Sequence, residues 1–104
     1  MWNIPSTKKL SEIPRLNETE HIPVRDKMIH LHFFLGDSNW WVCEFDGNDQ
    51  FFGFVVLNND HRNSEWGYFS FEELKDIIIR GIEVDYDLHW EPMKTSEICN
   101  IKVW

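Results

Sequence analysis

The chain has 104 residues, a formal charge of −8 at pH 7 and two cysteines. That length fits one domain, the acidity opposes direct binding to phosphate backbones, and two cysteines do not make a disulfide framework. The N-terminal stretch MWNIPSTKKL lacks the apolar run of a secretory signal, and no segment reaches the length of a transmembrane helix. The expected setting is therefore a reduced cytoplasm, without a membrane.

Charge is unevenly spread: residues 1–27 carry a balance of +1 and residues 28–104 a balance of −9. A chain this short hides only about two-thirds of its unfolded surface. Its core must come from the six Trp, eight Phe and two Tyr, each able to remove about 150–250 Å² from water.

Residues 1–27 contain Pro5, Pro14 and Pro23 and no sustained periodicity. They read as an extended N-terminal arm with one helical turn near Ser6–Glu12, tacked down by Leu10, Ile13, Leu16 and Ile22. Residues 28–104 read as a single α+β domain. Met28 to Leu35 alternates, with Ile29, Leu31, Phe33 and Leu35 on the core face, and Gly36-Asp37-Ser38 is a turn. Trp40 to Asp46 is a second strand with Trp41, Cys43 and Phe45 on one face. Asp46-Gly47-Asn48-Asp49 is a hairpin turn in which Gly47 can take positive φ.

Gln50 to Leu57 is apolar on both faces, the pattern of a strand covered on both sides. Gly53 within it marks a bulge or a close backbone approach. A polar loop follows (NNDHRNS), then a strand from Glu65 to Phe69. Ser70 and Glu73 form a capping box. Phe71, Leu74 and Ile78 then line one face of a helix that ends near Arg80, with Gly81 after it. Ile82 to Glu91 alternates without a break, placing Ile82, Val84, Tyr86, Leu88 and Trp90 inward and Glu83, Asp85, Asp87, His89 and Glu91 outward. Pro92 ends that strand, and EICNIKVW is a candidate for one more.

The run WWVCEFDGNDQFFGFV, then EWGYFSFEEL, then GIEVDYDLHWEP, resembles the domain family of unknown function DUF2958. So does IPRLNETEHIPVRDKMIHLHFF in the arm. The resemblance spans about residues 8–98, with several blocks in order and at the right spacing. It implies a bacterial mobile element (plasmid, phage or integrated element) as the setting, and it carries no assigned activity. One departure is visible: Tyr86 stands before Asp87 where members commonly carry Arg.

Three constellations could carry chemistry. His30 and His32 have the i, i+2 spacing of two ligands on one strand face, with two solvated histidines as the plainer reading. Glu44, Asp46, Asp49 and Glu65 sit in or beside the central hairpin, where burial could split carboxylate pKa values for acid–base work, although the turn itself explains Asp46 and Asp49. Ser70 lacks a nucleophile elbow and is explained by capping. The outward row Glu83, Asp85, Asp87 and Glu91 has an alternate-residue spacing of about 6.6–6.8 Å, near that of successive phosphates on one nucleic-acid strand. A solvated strand face in an acidic protein is the competing explanation.

The pattern as a whole predicts an α+β fold: a four- to six-stranded, mainly antiparallel sheet with one principal helix packed on a face. The expected function is that of a non-enzymatic acidic protein-binding domain of a mobile genetic element. Its expected partner is a protein with a basic surface, in the sharpest form a host nuclease or CRISPR effector whose nucleic-acid-binding groove it blocks. The expected contact residues are Glu83, Asp85, Asp87, Glu91, Glu65 and Trp66, with no cofactor and no metal. The alternative is a small hydrolase or metal-dependent enzyme using His30/His32 or Glu44/Glu65.

Overall fold

The computed structural model describes residues 1–98 and 101. Its centre is a five-stranded antiparallel sheet ordered β5-β4-β3-β2-β8. Four of its strands form a meander: β2 (Leu31–Leu35), β3 (Ser38–Phe45), β4 (Gln50–Val56) and β5 (Glu65–Ser70). The fifth, β8 (Asp85–Tyr86), returns to pair with Phe33 and Phe34. Two small antiparallel pairs stand apart, β1 (Met28–Ile29) with β9 (Met93–Lys94) and β6 (Ile78–Ile79) with β7 (Ile82–Glu83). The helices are short: α1 (Thr7–Ser11), capped by Ser6, and α2 (Phe71–Asp76), capped by Ser70. The fold is α+β as expected, with two short helices in place of one principal helix.

Because side chains alternate across a strand, the sheet carries a core on each face. One holds Leu31, Phe33, Trp40, Val42, Phe45 and Phe51, closed over by Phe71, Leu74, Ile13, Val84 and Tyr86. The other holds Ile29, Trp41, Cys43, Phe54 and Val56, closed over by Ile101 with Trp90 and Ile98 against it. The double-sided burial read for Gln50–Leu57 is therefore present in β4. The expected terminal strand in EICNIKVW falls mostly on residues 99, 100 and 102–104, outside the described ones. Thr95–Glu97 just before it forms a 3₁₀ turn.

Two expectations of register change. The pairing of β3 with β4 shifts between Val42 and Glu44. Cys43 is the extra residue of a bulge, and Phe45 joins the face of Trp40 and Val42 rather than that of Trp41 and Cys43. The bulge lies opposite Gly53, where a Cβ would fall on the Trp41 carbonyl, so the glycine permits the close approach read from sequence. The alternation of Met28–Leu35 breaks at His30, because Ile29 enters one core and Leu31 the other.

The helix after Ser70 is shorter than expected. It stops at Asp76, and Arg80 and Gly81, with φ of 53° and 78°, turn the chain between β6 and β7. Ile78 is consequently 61% exposed instead of lining a helix face. β-branched Ile77, Ile78 and Ile79 oppose helix continuation, and Arg80-Gly81 supplies the two successive left-handed residues of a type I′ hairpin turn.

Candidate functional site

The outward carboxylate row does not persist as one straight strand face. Ile82–Glu91 is divided among β7, β8 and a turn in which the Trp90 amide donates to the Asp87 carbonyl. The N-terminal arm engages the first two carboxylates. The Met1 ammonium pairs with Glu83, and Asn3 Nδ2 donates to both oxygens of Asp85 at 3.0 Å. Asp87 accepts from the His89 amide at 3.0 Å, which holds its carboxylate in the turn. Glu91 lies beyond that turn and is exposed. Asp85 and Asp87, with Phe34, Leu88 and His89, line a broad open basin rather than a ladder of evenly spaced charges.

Glu44 is buried as a structural anchor. Its carboxylate accepts from the Asn17 amide at 2.9 Å, the Thr19 amide at 3.1 Å and the Thr19 hydroxyl. The buried Lys27 ammonium donates to the Thr19 carbonyl at 2.5 Å and to its hydroxyl at 3.0 Å. Asn17 takes φ of 71°, a conformation asparagine tolerates, in the segment that meets Glu44. The network ties the arm to β3. Glu44 pairs in register with Phe52 and lines a cleft with Phe52 and Tyr68, whereas Glu65 pairs with Val55 and lines a groove with Trp40 on the opposite face. The two carboxylates expected to cooperate therefore point away from each other.

The two histidines have separate surroundings. His32 stacks on Trp41 at 5.1 Å and lies 2.8 Å from the Asn39 side-chain oxygen through Nε2. Burial pushes its pKa down, while the bond to Asn39 and the nearby Asp87 pull it partly back. Burial also lowers His30, against the pull of Glu12. Among the described residues, no three His, Cys, Asp or Glu side chains gather as metal ligands. Burial raises the Cys43 thiol to about 12, which makes it a core group rather than a nucleophile.

A better-formed feature lies along β5. This strand pairs with β4 and forms one edge of the main sheet among the described residues. A groove of about 390 Å³ runs beside it, lined by four β5 residues: Glu65, Gly67, Tyr68 and Phe69. Trp40, Val55, Leu57, Asp60 and Asn63 complete its lining. The Asp60 carboxylate is held by Asn63, through its amide at 3.3 Å and its side chain at 2.7 Å, and those bonds lower its pKa. Glu65 is exposed, and its carboxylate has no ion-pair partner among the described residues.

Trp66, expected as a contact residue, faces the other side, stacked on Phe52 at 6.0 Å and edge-on to Phe54 at 5.3 Å. Of the six expected contact residues, Glu65 alone lines this groove. Gly67 went unread in the sequence, where a glycine inside a strand was the one signal that could have marked it.

The family model of DUF2958, described as a protein of unknown function, matches residues 7–99. The chain belongs to DUF2958. No curated protein and no solved structure matches it. The match spans the Glu44 anchor, the β5 groove and the basin beside β8, so each of these lies within the DUF2958 domain.

Proposed function

We propose that this DUF2958 chain is a non-enzymatic, acidic protein-binding domain whose partner presents a basic surface. One observation carries the reading: the groove over β5 joins an aromatic and aliphatic lining to Glu65, an exposed carboxylate without an ion-pair partner among the described residues. Such a combination suits a protein ligand better than a small substrate, since it offers apolar contact and charge side by side. The net charge of −8 favours encounter with a basic partner. In its sharper form the partner is a host defence nuclease, and the bound domain blocks its nucleic-acid-binding surface on behalf of a mobile element. The basin holding Asp85 and Asp87 offers a second acidic contact for the same partner.

The enzyme alternative draws little support from the geometry, because Glu44 is spent on the arm and His32 on Asn39. The proposal is tested by capture from a bacterial host extract with the wild-type domain and with Glu65→Lys. A basic protein retained at low salt, released as salt rises and lost with Glu65→Lys supports it. Retention indifferent to both, or no retention at all, overturns it.

A further inference from the structure

Trp40, Val55 and Glu65 stand in register across β3, β4 and β5, and the groove lies over this row on the face of the main sheet. The next row on that face is Val42, Gly53 and Gly67, and beyond it Phe51 pairs with Phe69. Side chains therefore rise on β5 at Glu65 and Phe69, and none rises at Gly67 between them. The two glycines have different causes. A Cβ on Gly53 would fall on the Trp41 carbonyl, so the β3 bulge requires that glycine. Gly67 is outside the left-handed region, and a Cβ built on it meets nothing within 4 Å. Neither turn geometry nor packing demands a glycine there, and glycine weakens a strand interior. Its missing side chain keeps the groove open between Glu65 and Phe69.

The chemistry around that space is of two kinds. Trp40, Val55, Phe69 and Leu57, the last 52% exposed, supply apolar surface. Glu65 supplies an exposed carboxylate without an ion-pair partner among the described residues. Asp60, fixed by Asn63, adds a second carboxylate to the same lining. A small hydrated cation would leave the apolar lining uncovered, and an aliphatic side chain would leave the carboxylates unmatched. A side chain with an apolar stem and a cationic head satisfies both. The aromatic lining favours guanidinium over ammonium, because guanidinium is planar, weakly hydrated, stacks on rings and meets a carboxylate as a fork.

We infer that this groove seats one exposed arginine of a partner protein, with its stem over Gly67 against the apolar lining and its guanidinium at Glu65, where Asp60 adds negative charge. The inference rests on the protein-binding reading and names the side chain that the surface selects. Charge complementarity chooses the occupant, and the space left by Gly67 admits its stem.

The test is an NMR titration of the full chain with end-blocked alanine pentapeptides carrying arginine, lysine or citrulline at the central position. Citrulline keeps the shape of arginine and lacks its charge. The arginine peptide should shift the amide signals of Glu65, Gly67 and Phe69 and the indole signal of Trp40. Citrulline should bind about tenfold more weakly and lysine about threefold more weakly than arginine. Gly67→Val fills the groove and should lower affinity for the arginine peptide about tenfold. Its melting temperature should stay at or above that of the parent, because valine suits a strand better than glycine, so the loss is not unfolding. An arginine peptide that leaves these signals unmoved, citrulline or lysine binding as well as arginine, or Gly67→Val without effect overturns the inference. The two readings fail separately. A basic partner captured from host extract equally well by Gly67→Val leaves protein binding standing and removes the arginine seat. Arginine peptides that bind in the groove with no partner retained from host extract leave the seat standing and remove the protein-binding function.

Discussion

Gly53 and Gly67 are register partners across β4 and β5, yet only one of them is demanded by the fold. A methyl group at Gly53 would displace the Trp41 backbone at the β3 bulge. Gly53→Ala should therefore destabilise the domain by more than about 3 kcal/mol, the upper range of overpacking, because backbone yields less readily than side chains. Gly67→Ala should stabilise it by about 0.5 kcal/mol through the unfolded chain's lost freedom. Urea unfolding of the two variants side by side reads both signs. The histidines give a pH signature at the same scale. Burial lowers the folded-state pKa of His30 and His32, so the native state binds fewer protons than the unfolded state, whose histidines titrate near about 6.5. That stabilisation is complete above about 6.5 and drains as pH falls through the lowered values. Urea midpoints measured from pH 8 down to pH 5 should fall from about 6.5 downward, and His32→Asn should flatten part of the drop. Asp46 and Asp60, lowered by hydrogen bonds in their turns, act in a separate window below about pH 4.

Among the elements, α2 shows how a six-residue helix is held in place. The Ser70 hydroxyl accepts from the Glu73 amide at 3.2 Å and donates to Asp49 Oδ2 at 2.6 Å, while Asp49 Oδ1 accepts from the Glu72 amide at 2.7 Å. The Asp49 carbonyl accepts from the Phe71 amide at 2.8 Å. The hairpin turn between β3 and β4 thus caps a helix distant from it in sequence. Asp49→Ala and Ser70→Ala should each cost about 1 kcal/mol, and the double variant less than their sum, because the two side chains share a bond; thermal unfolding of the three variants measures the coupling. The sequence declared Ser70 as a cap because that signal is local. It read Asp49 only as a turn residue, because its capping of α2 depends on tertiary placement. The same division runs through the rest. The meander, the turn at Asp46–Asp49 and the close approach at Gly53 were legible because each has a short-range cause. The break at His30, the crossing of Phe45 to the other face and the division of Ile82–Glu91 were not, because bulges and pair choices are settled by partners far along the chain. Of the β5 groove, Glu65 stood out in sequence, while Gly67 gave only the weak signal of a glycine within a strand.

At the scale of the whole molecule, the proposed binding divides the acidic charge into a diffuse field and a local contact, which would act on different rate constants. The field arises from a balance of −9 over residues 28–104 and raises association with a basic partner at low salt. Asp87 and Glu91, on the β8 side, contribute to it from outside the β5 groove. Reversing both to Lys should slow association severalfold and leave dissociation nearly unchanged, with the difference fading as ionic strength rises to 1 M, where the screening length is about 3 Å. In the proposed complex, Glu65 belongs to the contact itself. Glu65→Lys places like charge against a basic segment already seated, so dissociation should quicken about tenfold or more and stay fast at high salt, since a groove-bound pair is less screened than an exposed one. Surface plasmon resonance with one captured partner, run for both variants across a salt series, separates the two behaviours. Should Asp87→Lys with Glu91→Lys prove to act on dissociation and Glu65→Lys only on association, the contact would lie on the β8 side, and the acidic segment after Gly81 would replace the β5 groove as the binding face.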